Sequence, residues 1–227
     1  TEAFNAMQER LSRFIGDRTR LLAAISHDLR TPITSLRLRA EFIDDEETRA
    51  KVLETLDEMA RMAEATLAFA RDDAAAEETR PVDLAALLQS LADDLADLGH
   101  DVTCAEAPAL AYRCRPVALK RALRNLIENA VRYGDRARIS LAATPEGPRI
   151  AIEDDGPGID PAALERVFEP FVRLEESRSR ETGGVGLGLA IARSIVRAHG
   201  GELSLVNRSD AAGKVAGLTA TVALPAV

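Results

Sequence analysis

The chain has 227 residues, enough for one large or two small domains, each with a hydrophobic core. Hydrophobic residues make up 46% of it, which is typical of a globular protein and excludes a disordered one. The net charge of −8 argues against nonspecific nucleic-acid binding, and no apolar run approaches the roughly 20 residues that span a bilayer. The two cysteines, Cys104 and Cys114, have no partners at metal-ligand spacing and predict neither disulfides nor a zinc site.

Residues 4–72 are predicted to be helical almost throughout. The acidic stretch 43–47 interrupts them and predicts a turn between two helices. One helical hairpin buries little apolar surface, whereas two hairpins form a four-helix bundle, so the sequence predicts a homodimer. The apolar positions of the first helix have coiled-coil spacing: Phe4, Met7, Leu11, Phe14, Leu21 and Ile25. Those of the second helix form one side: Val52, Leu56, Met59, Met62 and Leu67.

One histidine in the first helix is a candidate nucleophile. His27 is predicted to face solvent, away from an apolar stripe, with Asp28 beside it and Thr31 one turn further on. Pro32 cannot donate to the carbonyl of Asp28, so the helix should bend there. An exposed imidazole beside a carboxylate suits a nucleophile, and an ordinary surface histidine is the alternative. The stripe is formed by Leu22, Ile25, Leu29, Ile33 and Leu36.

The rest of the chain alternates between predicted helices and strands. A polar stretch that ends at Pro81 predicts a linker between the helical region and these elements. This order predicts an α+β sandwich, a mostly antiparallel sheet with helices on one face. Helices are expected near 83–97, 116–132, 161–167 and 186–199, and strands near 101–105, 111–114, 136–143, 148–154, 201–207 and 215–223, with a hairpin turn at 145–147.

The helix near 116–132 carries two amides, Asn125 and Asn129, four residues apart and therefore on one face. Amide oxygens are ligands suited to Mg²⁺, which also binds substrate phosphates. Arg132 is placed to meet phosphate oxygens, and Tyr133 to cover a base. The alternative is a set of polar residues on a solvated helix face.

Two glycine-rich segments follow. In 154–159 the carboxylate of Asp154 is able to accept a hydrogen bond from an exocyclic amine, and the glycines let backbone approach a ligand, although a simple turn is the alternative. Residues 183–189 open a helix and predict an anion site. Between them lies a predicted mobile loop with Arg173, Arg178 and Arg180 facing phosphates and with Phe168 and Phe171 anchoring its base.

In this order, the motifs resemble those of the bacterial two-component sensor histidine kinases, with HisKA and HATPase domains. The segments 26–32, 125–134, 154–159, 168–171 and 184–189 resemble the family's H, N, G1, F and G2 boxes, and details such as Asp28 resemble EnvZ-like osmosensor kinases. The resemblance implies a helical-hairpin dimerisation domain that forms a four-helix bundle in the dimer, followed by an α/β-sandwich ATP-binding domain of the GHKL (Bergerat) type. The implied boundaries are a HAMP-like relay helix at 1–15, the dimerisation and phosphotransfer domain at 16–76, a linker at 77–82 and the catalytic domain at 83–227.

The family also implies a role for each motif residue. His27 would be the phosphoacceptor, Asp28 its hydrogen-bond partner and base, and Thr31 the residue that orients water in a phosphatase reaction. ATP and Mg²⁺ would be the cofactors, with Asn129 as the metal ligand, supported by Asn125. Asp154 would bind the adenine amine. The remaining nucleotide contacts would come from Arg132, Tyr133, Gly156, Gly158, Ile159, Phe168, Arg173, Gly184, Gly186, Leu187, Gly188 and Leu189.

The resemblance implies autophosphorylation of His27 and phosphotransfer to an aspartate of a response regulator, expected to be OmpR-like. The fragment would be the cytoplasmic portion of an inner-membrane receptor, reaching the membrane only through segments upstream of Thr1, and would bind no nucleic acid. Val185 stands where the family usually has Thr or Ser, and Arg115 where an acid is common.

Two other functions stay open. A nucleotide-binding dimeric scaffold without kinase activity is favoured only by Val185. A gyrase-type or chaperone-type ATPase would need a glutamate where Asn125 stands.

Overall fold

The structure is a computed structural model that describes residues 28–72, 77–173, 186–210 and 212–226. The chain divides into two compact units, with the main boundary between Ala76 and Glu77, and Gly186 and Leu187 group with the first unit. No helix among the described residues is both long and apolar enough to cross a membrane.

The first unit contains a helical hairpin. Helix α1 runs through residues 28–40, and α2 spans Glu46–Asp72. The predicted turn is confirmed: Asp45 caps α2, because its carboxylate accepts a hydrogen bond from Thr48 N at 2.8 Å. Arg37 of α1 and Asp57 of α2 form an ion pair at 2.8 Å. The predicted coiled-coil residues 4–25 lie outside the described part.

The two helices pack through a small apolar core. Ile33, Ala40 and Leu56 are buried in it, at 5%, 3% and 5% exposure. Leu29 and Leu36, which the sequence places on the same stripe as Ile33, are 42% and 46% exposed. The stripe is therefore only partly buried within one chain, because among the described residues a single neighbouring helix covers Ile33 but not the stripe's full width.

The second unit is built on a five-stranded sheet in the order β2-β4-β5-β7-β6, in which β2 pairs parallel with β4 and all other pairs are antiparallel. A separate two-stranded antiparallel sheet joins β1 to β3. The strands are β1 (Arg80–Asp83), β2 (Asp101–Cys104), β3 (Ala111–Cys114), β4 (Arg136–Thr144), β5 (Gly147–Glu153), β6 (Glu202–Ser209) and β7 (Val215–Ala223). The expected hairpin turn between β4 and β5 is present.

Three helices supply most of the core that covers the sheet. They are α3 (Leu84–Ala96), α4 (Pro116–Gly134) and α5 (Gly188–Ala198). Residues alternate along β4 and β5, so that Ile139, Ile150 and Ile152 are buried against the helices. The helices contribute Leu84, Leu88, Leu91, Leu95, Leu119, Leu123, Leu126, Ile127 and Val196, all under 2% exposed. The predicted helix at 161–167 is instead two 3₁₀ turns, Pro161–Ala163 and Arg166–Phe168.

Residues 77–82, expected as a linker, are integrated into the second unit. β1 pairs with β3, with Arg80 opposite Cys114. The carboxylate of Glu77 accepts hydrogen bonds from Val117 N at 2.7 Å and Ala118 N at 3.0 Å, and so caps α4. From its polar composition alone this segment is expected to be a linker. Its hydrogen-bond partners lie about 40 residues further along the chain, so no local pattern predicts them.

Candidate nucleotide site

The predicted phosphoacceptor, His27, lies outside the described residues. Its neighbours Asp28 and Thr31 are on α1 with exposed side chains. The helix continues through Pro32, and Thr34 Oγ1 donates to the carbonyl of Arg30 at 2.9 Å. The bend at Pro32 stays a prediction, since the described part begins only four residues before it.

The two amides of α4 lie beside the first residue of α5. A Cβ placed on Gly188 would lie 3.6 Å from Asn129 Nδ2 and 3.7 Å from its Oδ1, and 3.9 Å from the Cβ of Asn125. Apolar residues fix α4 against the sheet on its other side, so the amides face the start of α5. The structure therefore brings Asn125, Asn129 and Gly188 together.

Asn125 carries an unsatisfied donor. Its Nδ2 is buried and has no hydrogen-bond partner among the described residues. A buried N–H group without an acceptor is costly, typically by about 1–3 kcal/mol. A phosphate oxygen or a phosphate-bound water would satisfy it, and the adjacent amide oxygen of Asn129 is the kind of hard ligand that Mg²⁺ takes together with phosphates. The residues present therefore fit a magnesium nucleotide.

Asp154 follows β5 and is the only charged residue among those buried in the described part, at 6% exposure. Its Oδ1 accepts from Gly156 N at 2.8 Å and from Leu218 N at 3.0 Å. Burial raises the pKa of this carboxyl, and the two backbone hydrogen bonds and the charge of Arg208 partly oppose that rise. Within the described part of the chain Oδ2 has no hydrogen bond, so it is available to an external donor.

The glycines around Asp154 are required by the protein's own packing. A Cβ on Gly156 would lie 2.6 Å from the carbonyl oxygen of Tyr133, and one on Gly134 would lie 2.6 Å from the Cβ of Asp154. Gly158 has φ +72°, and a Cβ there would lie 2.4 Å from a methyl of Val215. From the sequence, Gly156 and Gly158 are expected to let the backbone approach a ligand. In the structure they let the end of α4 and the β6–β7 hairpin pack against this turn.

The remaining predicted contact residues differ in their exposure. Arg132 and Tyr133 are exposed at the end of α4, and Ile159 is half-buried. Asn207 of β6 fixes Ile159 in place, because its Oδ1 accepts from Ile159 N at 2.8 Å and its Nδ2 donates to the carbonyl at 2.6 Å. Leu187 is buried, Gly186 has φ +76° and Leu189 is half-buried. Gly184 and Val185, and the loop residues Arg178 and Arg180, lie outside the described residues.

The two phenylalanines at the base of the loop differ. Phe168 is buried, and the guanidinium of Arg193 lies 4.6 Å from its ring centroid. Phe171 is 54% exposed, with φ +67°, so the expectation that it anchors the loop is wrong. A φ in this region is uncommon for a residue other than glycine, and the side chain lies largely outside the core that receives Phe168. Arg173, the last described residue before the gap, is half-buried.

Sequence reasoning missed several residues that hold the turn after β5. Arg138 of β4 donates to both carboxylate oxygens of Asp155, and Arg208 of β6 donates to one of them at 3.2 Å. These two cations hold the pKa of Asp155 well below its usual range. Arg208 also reaches the backbone of Asp154, and Gly217 of β7 leaves room for that contact. The signal available in the sequence was only an arginine on a strand, which is ordinarily a solvated side chain.

Comparison with known families covers nearly the whole chain. Residues 17–75 match the His Kinase A (phospho-acceptor) domain, and residues 114–227 match the histidine kinase-, DNA gyrase B- and HSP90-like ATPase family. The sensor histidine kinase GtrS of Pseudomonas aeruginosa is 44% identical over 98% of this chain. The chain spans 45% of the length of GtrS, so it corresponds to about half of that protein.

Solved structures agree with these matches. The crystal structure of full-length ShkA in complex with AMPPNP has a TM-score of 0.64 at 28% identity and covers 92% of this chain and 47% of that one. The NMR structure of the histidine kinase domain of the Escherichia coli osmosensor EnvZ has a TM-score of 0.50 at 33% identity, over 66% of this chain and 89% of that one. The EnvZ domain is thus a structural neighbour, as the sequence resemblance implied.

The fold agrees with the two family matches, because a helical region is followed by an α/β unit. Asn125, Asn129 and Asp154 all lie in that α/β unit. The chain belongs to the sensor histidine kinase family and carries the catalytic core of a protein-histidine kinase.

Proposed function

We propose that this core phosphorylates His27 with Mg²⁺-ATP and then passes the phosphoryl group to an aspartate of a response regulator. The observation that carries the proposal is the carboxylate of Asp154, which is buried, fixed through Oδ1 by two backbone N–H groups and open at Oδ2. An acceptor held in that way suits the exocyclic amine of adenine. The orphaned donor of Asn125 and the Asn129 amide would then serve the phosphates of the nucleotide.

In the proposed reaction a ring nitrogen of His27 attacks the γ-phosphorus of ATP. A P–N bond forms, the bond from phosphorus to the bridging oxygen breaks, and ADP leaves. Bound Mg²⁺ would neutralise charge on the phosphates, with Asn129 as its protein ligand. Asp28 would hold the imidazole and accept its proton, while Asn125 would donate to the phosphate region. Because His27 belongs to the first unit and Asn125, Asn129 and Asp154 to the second, transfer would need residues of both units.

We further propose that Thr31 positions the water that hydrolyses the phosphorylated regulator, so that the protein also acts as a phosphatase. The regulator is expected to be OmpR-like. Thr31 is exposed and follows His27 by four residues, about one turn of a continuous helix, which would suit the positioning of such a water. The full-length protein would be an inner-membrane receptor, with this core on the cytoplasmic side.

A homodimer is part of the proposal. Leu29 and Leu36 on α1 and Met59 on α2 are 42%, 46% and 44% exposed, although large apolar side chains on a hairpin normally face a core. A second hairpin packed on this side would complete a four-helix bundle.

The direct test is incubation of the chain with γ-labelled ATP and Mg²⁺. We expect acid-labile label in the wild type and none in His27→Gln. His100→Gln is the matched control, because His100 is an exposed histidine of the second unit and should leave labelling unchanged. Label that persists in His27→Gln would overturn the assignment of the phosphoacceptor.

The alternatives predict different outcomes. A scaffold without kinase activity would bind ATP and give no phosphohistidine in the wild type. A gyrase-type ATPase would turn over ATP at the same rate in His27→Gln. Asp154→Asn should abolish ATP binding under the proposal, because the amide presents a donor to the adenine amine in one orientation and a weaker acceptor in the other.

A further inference from the structure

The backbone and side chain of Asp154 are held by an unusually complete set of hydrogen bonds. Its N–H donates to the carbonyl of Leu218 at 3.0 Å, and its Oδ1 accepts from Leu218 N and Gly156 N. Its carbonyl oxygen accepts from Arg208 Nη1 at 2.8 Å. Among the described residues Oδ2 has no hydrogen-bond partner, and the four other bonds set the direction in which that atom points.

In three of these bonds the partner of Asp154 is a backbone group of Leu218 or Gly156, and Arg208 supplies the fourth from a side chain. Arg208 lies opposite Gly217 in the β6–β7 pair, next to a shift of register between Arg208 and Ser209. A Cβ on Gly217 would lie 2.0 Å from the carbonyl oxygen of Asp154 and 3.1 Å from Arg208 Nη1. The absence of a side chain at Gly217 is therefore what lets the guanidinium and the carbonyl meet.

The guanidinium is itself held in place. Arg208 forms ion pairs with Asp155 at 3.2 Å and with Glu153 at 3.5 Å. Arg138 donates hydrogen bonds to both carboxylate oxygens of the same Asp155. An arginine that contacts two carboxylates loses much of its rotational freedom before it meets the carbonyl, so the contact with Asp154 is preorganised.

We propose that Arg208 is a positioning residue that sets the preference of this site for a 6-amino purine over a 6-oxo purine. By holding the carbonyl of Asp154, it fixes Oδ2 as a hydrogen-bond acceptor at the place where the base's 6-substituent would lie. A 6-amino group donates to that oxygen, whereas a 6-oxo group opposes one acceptor with another. The inference deepens the proposed ATP-binding function and rests on it.

A plain surface ion pair is the competing account of Arg208. Its side chain is 33% exposed, and exposed ion pairs contribute little to stability. Such a role would not distinguish between nucleotides, because it involves no group that faces the base. The contact between Arg208 and the Asp154 carbonyl makes discrimination, and not stability, the decisive measurement.

The test compares the affinities of the full chain for ATP and for inosine triphosphate, which carries a 6-oxo group, by isothermal titration calorimetry. The wild type should prefer ATP by about 10- to 100-fold, the range of one charge-assisted hydrogen bond. Arg208→Met should weaken ATP about tenfold and leave inosine triphosphate nearly unchanged, so that the preference collapses.

Arg136→Met is the matched control. Arg136 belongs to the same charged cluster, with ion pairs to Asp101 at 2.9 Å and Asp155 at 3.8 Å, but none of its contacts reaches Asp154. Arg136→Met removes one positive charge beside the same site and should keep the wild-type preference for ATP. Equal weakening of both nucleotides by Arg208→Met, or loss of preference in both variants, would overturn the inference.

Arg208→Lys keeps the test decisive if Arg208→Met does not fold. It retains the charge but loses the planar fork, so we expect an intermediate preference, and a preference equal to that of the wild type would overturn the inference. A wild-type chain that binds neither nucleotide would instead refute the proposed function itself, which is recognisable without any variant.

Discussion

The two units of this protein bury their apolar surface in different ways. The ATP-binding unit closes its own core, with nine large side chains of three helices under 2% exposed. The helical hairpin buries Ile33, Ala40 and Leu56 but leaves Leu29 and Leu36 more than 40% exposed. One unit is complete as a single chain, whereas the other has the surface of half a bundle. Stability should therefore reside within one chain in the first case and between two chains in the second.

The largest expected effect is on the self-contained unit. Leu123→Ala in α4 removes a fully buried side chain and should lower the free energy of unfolding of this unit by about 2–5 kcal/mol. The measurement is urea unfolding followed by tyrosine fluorescence. The chain has no tryptophan, and its two tyrosines, Tyr112 and Tyr133, both lie in this unit, so the signal reports it alone. Leu36→Ala on α1 is the control and should leave that transition unchanged.

The hairpin should respond to a change of dimer contact. Leu36→Asp places a charge on the exposed stripe of α1 and should raise the dimer dissociation constant at least tenfold, because an unpaired charge would be buried on assembly. Leu38→Asp is the matched control, since Leu38 is on the same helix, is 65% exposed and lies off the stripe. Sedimentation equilibrium measures both. Equal dissociation of the two variants would place the dimer interface elsewhere.

Local patterns predicted most elements of the second unit. The helix expected at 116–132 is Pro116–Gly134, the one expected at 186–199 is Gly188–Ala198, and the strand expected at 136–143 is Arg136–Thr144. These elements follow from apolar periodicity and from proline or glycine at their ends, which are read within a few residues. The same holds for Asn125 and Asn129, whose spacing alone places them on one face.

The sequence could not predict contacts between distant segments. Asn207 and Arg208 act on the turn after β5 from about 50 residues away, and Glu77 caps a helix that begins 39 residues later. Nothing in their neighbourhood distinguishes them from solvated polar residues. Phe171 shows the reverse error: it was expected to anchor the base of the loop together with Phe168, but it is 54% exposed, with φ +67°. Pairings and dihedral angles of this kind depend on the tertiary fold.

A smaller effect is expected where the ATP-binding unit begins. Glu77→Ala removes the carboxylate that accepts from Val117 N and Ala118 N, and α4 has no side-chain cap of its own at Arg115. The loss should be about 1 kcal/mol in the tyrosine-detected unfolding, the usual size of a helix cap. Glu78→Ala, at the exposed neighbouring position, should change little. Identical curves for wild type and Glu77→Ala would mean that the Glu77 cap contributes nothing to the stability of this unit.

The smallest effect concerns the pH dependence of the clamp on Asp155. The two arginines hold the folded-state pKa of this carboxyl well below the ordinary value of about 3.9, so its stabilisation is present above about pH 4. It is lost as the pH falls through the folded-state pKa, because the folded protein then also binds the proton. The side chain is 41% exposed, so solvent screening limits the contribution to about 1 kcal/mol or less.

Asp155→Asn should therefore be less stable than wild type at pH 7, with a difference that shrinks steadily below about pH 4. Tyrosine-detected urea unfolding across this range measures both proteins under the same conditions. Asp101→Asn is the control, because among the described residues Asp101, on the edge strand β2, pairs only with Arg136 and not with the two arginines that hold Asp155. A difference that grew as the pH fell would mean that Asp155 is stabilised in its protonated form, and the clamp would then not be ionic. That result would also remove the ionic support that holds Arg208 against Asp154. The smallest expected effect therefore also tests the contact on which the nucleotide preference depends.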